Sequence, residues 1–290
     1  LFISLLGWIV YPFTRLALGG LADKGYPLSR LVGMVLFAWL AWISGSAGIT
    51  VSRGLLAAVF GFLLLIGIVL AYITRKELLQ DLREHWRHYL GLELLGLVFF
   101  MAFLFVRLGN PDLWHPYKGG EKPMDFSYFN AVIKSSTFPP YDPWFAGGYI
   151  NYYYYGFVLV GMPVKLLGII PSIAYNLILP TLFSLLAMGA FCGGYNLVLG
   201  SGLSGTRKSN HPFLRKGIKS AWKEFLNGLN QKNSAINPVE IQPVEGITEP
   251  STGNRKAWIG GLASAAGMVL LGNLGSVRMV WHGLMRLAAP

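Results

Sequence analysis

The sequence predicts an all-α, polytopic transmembrane helical bundle, on three observations. Of 290 residues, 53% are hydrophobic and only 13% are charged, against about 25% charged in a soluble domain. Apolar runs of roughly 18 residues or more recur along the chain, each long enough to cross a bilayer. The net charge of +11 comes from 24 Lys+Arg against 13 Asp+Glu. Its cations cluster between the apolar runs, as loops held on the cytoplasmic side require. Membrane orientation thus accounts for the basic balance, and no nucleic-acid partner is expected. The single Cys192 lies in an apolar run, so neither an internal disulfide nor a thiolate metal cluster is suggested.

Residues 1–108 read as about four spans. Leu1–Leu18 is the first, with Arg15 near its inner end, where it can snorkel. Leu31–Gly48 and Gly54–Thr74 are the second and third. The stretch Thr74–His88 is amphipathic and basic, with Arg75, Lys76, Arg83 and Arg87, and is expected at the cytoplasmic surface. Tyr89–Leu108 is the fourth span and must deliver Gly109 to the far side. It carries Glu93 about one turn from the inner edge and Arg107 at the outer end. An intramembrane carboxylate suggests function, with snorkelling as the competing explanation.

Residues 109–171 form an extracytoplasmic, Pro- and aromatic-rich region too long for a simple connector. Asp125–Ser136 is its best short helix. Tyr152–Ile169 is apolar enough to span, yet it holds Gly156, Gly161, Pro163 and Lys165. If it crossed, the basic loop 200–257 would fall outside, against the charge rule. An interfacial helix there keeps 200–257 cytoplasmic after a single crossing at 172–199. That loop is partly flexible in composition. Residues 258–290 hold a last span, rich in Gly, Ala and Ser. The chain opens and closes close to apolar runs, so it reads as a piece of a longer protein, localised as a multi-pass protein of the cell membrane.

Chemistry concentrates in 109–155. Asp112, Glu121, Asp125 and Asp142 share one loop, and a general base needs a carboxylate held near a substrate hydroxyl. Asp125 also reads as an N-terminal helix residue stabilised by the dipole, and Asp142 and Asp112 as turn residues. Arg107, Lys118, Lys122 and Lys134 put positive charge nearby, which suits a phosphate or pyrophosphate leaving group. His115 has no second histidine close in sequence, so no metal ligand is assigned. The acidic oxygens still suit Mg²⁺ or Mn²⁺. Tyr128, Trp144, Tyr152 and Tyr153 offer rings and hydroxyls to a sugar, although an interfacial aromatic belt explains most such rings. The residues alone point to a membrane enzyme acting at the outer face on a phosphate-linked or sugar substrate.

The run Asn110-Pro-Asp-Leu-Trp-His-Pro, then Gly120-Glu-Lys-Pro-Met-Asp-Phe, then Phe138-Pro-Pro-Tyr-Asp-Pro-Trp-Phe-Ala-Gly-Gly-Tyr-Ile-Asn-Tyr-Tyr-Tyr-Tyr-Gly resembles the YYY membrane-protein family, named for that tyrosine run. The resemblance extends more loosely to Ala174-Tyr-Asn-Leu and Gly272-Asn-Leu. That family is similar in layout to the GT-C integral-membrane glycosyltransferases. The similarity implies a polyprenyl-phosphate sugar as donor, Asp125 as catalytic base and Tyr152–Leu167 as the outer interfacial helix. Arg107, His115, Glu121, Lys122, Tyr128, Asp142, Trp144, Tyr152 and Tyr153 are then expected to line the substrate site. The implied partners are membrane lipids and the lipid-linked sugar. In many GT-C enzymes a second acid follows the first; here Phe126 follows Asp125. The other reading is a non-catalytic subunit that docks a membrane-protein partner through the same loop.

Overall fold

The computed structural model describes residues 1–109, 122–202 and 252–271. They form eight α-helices: α1 (Phe2–Ala17), α2 (Ser29–Ser46), α3 (Arg53–Ile73), α4 (Arg75–Gly109), α5 (Lys122–Lys134), α6 (Tyr154–Leu167), α7 (Pro171–Gly202) and α8 (Thr252–Leu271). Among the described residues the only β pairing is an isolated bridge between Tyr141 and Tyr149. Tyr26–Ser46, Arg53–Ile73, Arg75–Gly109 and Pro171–Gly200 are long and apolar enough to cross a membrane; α1 is shorter, and α8 is not among these four. Helices suit these runs because hydrocarbon offers backbone groups no hydrogen-bond partner.

Two cores hold the bundle. In the first, Leu6, Ile9 and Val10 of α1 meet Phe37, Ala38 and Ala41 of α2 and Leu56, Val59 and Leu63 of α3. Val132 of α5 and Val158 and Met162 of α6 close it from one end. In the second, Tyr11, Tyr89, Leu92, Met188, Phe191 and Ala265 join α1, α4, α7 and α8. The α1–α3 crossing depends on Gly67: a Cβ there would sit 2.3 Å from the Ile9 carbonyl oxygen. Gly67→Ala is therefore expected to destabilise the protein by about 1–3 kcal/mol through forced backbone separation. Thermal unfolding in detergent checks this, and an unchanged midpoint refutes it.

Several charged groups inside the bundle are paired rather than extended to the surface. Arg15 is 8% exposed and reaches Asp81 at 3.2 Å and Glu77 at 3.3 Å. Ion pairing therefore replaces the snorkelling expected of it. Lys24 also reaches Asp81, at 3.5 Å, and the Tyr89 hydroxyl donates to the same carboxylate at 3.1 Å. Glu93 accepts from the Tyr26 hydroxyl and the Arg30 guanidinium. The amphipathic stretch and fourth span are one helix, α4, with a kink at His85.

The helices define two ends. One holds the α1–α2 link, the start of α4 and the end of α7, tied by the Ala22 amide donating to Asn196 at 2.8 Å. The other holds the α2–α3 link, the end of α4, α5, α6 and the start of α7. Helix α6 begins and finishes at this second end. Trp42 in the last turns of α2 donates to the Tyr154 hydroxyl at 2.9 Å, and Arg53 at the start of α3 donates to the Lys165 carbonyl at 3.2 Å. Its 14 residues span about 21 Å, short of the roughly 30 Å of hydrocarbon.

Candidate functional site

Helix α5 starts at Lys122, three residues earlier than its sequence pattern suggests, and places Asp125 in its first turn. A carboxylate there is favoured by the helix dipole. Asp125 is half-buried. The apolar face of α5 fixes it in place: Phe126, Phe129 and Ile133 pack among Phe157, Val160 and Val164 of α6 and Ala174, Tyr175 and Ile178 of α7. The Tyr175 ring stands edge-on to Phe126, with centroids 5.7 Å apart, and to Phe129, at 6.1 Å.

Arg107, in the last turn of α4, is 8% exposed. Its Nε donates to Asn176 Oδ1 at 3.0 Å, and a terminal nitrogen donates to the same oxygen. Tyr175, the neighbour of Asn176, lies within electrostatic reach of both Asp125 and Arg107. The end of α4 is thus tied to the start of α7 through Arg107 and Asn176, and the Tyr175 phenol beside Asn176 feels the charges of both Arg107 and the Asp125 carboxylate of α5. The sequence reading reached Asp125 and Arg107. It did not select Tyr175 or Asn176, although a polar pair opening an apolar span was the available signal.

The other expected residues fall into four groups. Lys122 is the first residue of α5, and Tyr128 is half-buried with its ring edge-on to Phe157 at 6.1 Å. Both share a helix with Asp125. Trp144 is 64% exposed, but its indole donates to Ser127 Oγ at 2.6 Å, which ties the 140–150 turn to α5. Asp142 makes that turn: Oδ1 accepts from the Trp144 amide at 2.8 Å, and its own amide donates to Gly148 O at 3.0 Å. Tyr152 and Tyr153 stand exposed at the start of α6, with ring centroids 4.3 Å apart. Tyr153 approaches Phe157 at 6.1 Å, so the pair joins Tyr128 through one shared ring. His115 and Glu121 lie outside the described residues, as does Asp112.

The turn region is anchored rather than free. The Val51 amide donates to Ser136 O at 2.7 Å, Phe138 donates to Gly45 O at 3.2 Å and Ile150 to Pro140 O at 2.9 Å. Gly45 makes room for the Phe138 ring, since a Cβ would lie 2.5 Å from it. The rings of Tyr141 and Tyr149 stack with centroids 4.7 Å apart. The hydrogen bond that Tyr149 donates to Tyr141 at 3.3 Å, with the charge of that neighbour, raises Tyr149 above the ordinary tyrosine value.

Beneath α5 lies a cavity of about 740 Å³, bounded by α1, α2, α4, α6 and α7. Its walls are apolar except for Ser4, Arg30, Glu93, Thr181 and Ser184. Val160, Val164, Ile169, Ala174 and Ile178 line it on one side and pack around Phe129 of α5 on the other. From Ala174 to Leu185 it follows α7 for about 16 Å. Among the described residues no three His, Cys, Asp or Glu side chains gather as metal ligands.

Residues 36–289 match the profile of a family whose description is Uncharacterized membrane protein (DUF2298). No curated protein and no solved structure matches the chain.

Proposed function

The chain belongs to that family of membrane proteins, and on this premise we propose that it is a GT-C-like glycosyltransferase using a polyprenyl-phosphate sugar as donor. In this reading 109–171 faces the extracytoplasmic side and 200–257 the cytoplasm. The carrying observation is Tyr175, which feels the charges of both Asp125 and Arg107 at the end of α7 that borders an apolar cavity. A carboxylate and a buried guanidinium at one end of a bundle suit a reaction that removes a proton at one atom and leaves negative charge on another. Asp125 takes the proton of an acceptor hydroxyl as its oxygen bonds to the anomeric carbon with inversion. The bond from that carbon to the phosphate oxygen breaks, and its electron pair stays on the polyprenyl phosphate. Arg107 and Lys122 offset that charge. The isoprenoid chain lies in the cavity, whose dimensions and apolar walls accept one. Trp144, Tyr152 and Tyr153 receive the sugar or acceptor.

The test is transfer of labelled sugar from polyprenyl-phosphate donors by the purified protein in nanodiscs. Donor-dependent release of polyprenyl phosphate, with label appearing in a hydroxyl acceptor, is expected. Its absence across a panel of sugars and acceptors overturns the reading. One observation favours a second reading, a non-catalytic subunit: Tyr141, Trp144, Phe145 and Tyr149 are all more than half exposed, and such rings suit a protein interface. A stoichiometric membrane-protein partner co-purifying without donor lipid supports that alternative.

A further inference from the structure

At the end of the bundle opposite Asp125, the first half of α4 separates its charges by sign. Its acids are engaged: Glu77 and Asp81 reach Arg15, Asp81 also reaches Lys24, and Glu84 accepts from Gln80 at 2.9 Å. Lys76, Arg83 and Arg87 point the other way, exposed and with no ion pair among the described residues. Positions 76, 79 and 83 before the His85 kink share one helical face, as do 86, 87 and 90 after it, by their three- and four-residue spacing, and all six side chains are exposed. The apolar members of that face are exposed too: Leu79 54%, Trp86 54% and Leu90 49%. The Arg87 guanidinium lies over the Trp86 ring, 5.4 Å from its centroid. A face meant for water does not interleave three cations with three large apolar side chains. A face meant for the boundary between headgroups and acyl chains does.

We propose that this face docks the phosphate headgroups of an anionic phospholipid, with Lys76, Arg83 and Arg87 on the phosphates and Leu79, Trp86 and Leu90 at acyl-chain level. Charge argues against cover by the chain itself. Residues 203–251 carry seven Lys+Arg against four Glu. The inference does not rest on the transfer reaction, and its test reads lipid binding alone.

The purified full chain is titrated with phosphatidylglycerol and with phosphatidylcholine, and bound lipid is counted by native mass spectrometry. Wild type is expected to prefer phosphatidylglycerol, and 0.5 M salt to erase most of the preference. Each cation near an anionic headgroup contributes roughly fivefold. The variant carrying Lys76→Gln, Arg83→Gln and Arg87→Gln is therefore expected to bind phosphatidylglycerol roughly 10–100-fold more weakly. Its unchanged phosphatidylcholine binding shows that it still folds. Equal binding of the two lipids by wild type overturns the proposal, as does undiminished phosphatidylglycerol binding by the triple variant. Competition by millimolar inorganic phosphate also overturns it, because the face is then a free-anion site.

Discussion

Asp125→Asn is expected to lower sugar transfer by roughly 10²–10⁴-fold, the range over which a positioned general base contributes. The substitution keeps the shape of the side chain and removes only its charge and basicity. Helix α5 does not depend on that charge for its place, because Phe126, Phe129 and Ile133 hold it against α6 and α7. Losing a carboxylate from a first turn costs about 0.3–1 kcal/mol of helix stability, too little to unfold the region. Thermal unfolding in detergent should therefore stay close to wild type while turnover collapses. Undiminished turnover in a folded Asp125→Asn protein removes Asp125 from the role of base. Arg107→Gln gives the complementary result. In the proposed reaction its cation acts on the leaving phosphate, so kcat should fall even at saturating donor. A change confined to KM marks it as a ground-state contact only.

The sequence spoke most clearly where physics is local. Long apolar runs yield α2, α3 and α7 with boundaries close to those expected, because a chain in hydrocarbon must satisfy its own backbone, whereas α4 begins at Arg75 rather than at Tyr89 and takes in the amphipathic stretch before the apolar run. An interfacial place for α6 was expected from a charge argument about the basic loop; in the structure its two ends contact Trp42 of α2 and Arg53 of α3. Long-range pairings were not legible. Nothing near Arg15 in sequence announces Asp81, 66 residues away, nor does Glu93 announce Tyr26 and Arg30. Snorkelling was the natural reading of single charged residues, and only tertiary contacts replace it. The same holds at the candidate site. Asp125 stands out as an acid in an aromatic loop, whereas Asn176 and Tyr175 gain meaning only when α7 brings them to Arg107. Asp142 shows the reverse: its motif suits chemistry as well as a turn, and its bond from the Trp144 amide belongs to the turn.

Arg15→Met and Asp81→Leu are each expected to destabilise the bundle by about 3–5 kcal/mol, and the double variant by much less than their sum. Arg15 and Asp81 are 8% and 7% exposed, so either charge alone is left in a medium that solvates it poorly. In Arg15→Met, Asp81 keeps Lys24 at 3.5 Å and the Tyr89 hydroxyl at 3.1 Å. In Asp81→Leu, Arg15 keeps only Glu77, whose side chain is 74% exposed, and Lys24 loses its partner. Asp81→Leu should therefore be the worse of the two. Replacing both puts two apolar side chains where α1 and α4 meet, and such exchanges are often neutral or favourable. Unfolding midpoints of the four proteins in one detergent give the coupling directly, and strict additivity refutes it. Because this ion pair sits at the end of the bundle away from Asp125, the double variant should retain sugar transfer. A loss of transfer in a double variant of wild-type stability shows instead that the α1–α4 contact sets the geometry of the candidate site through α4, whose last turn carries Arg107.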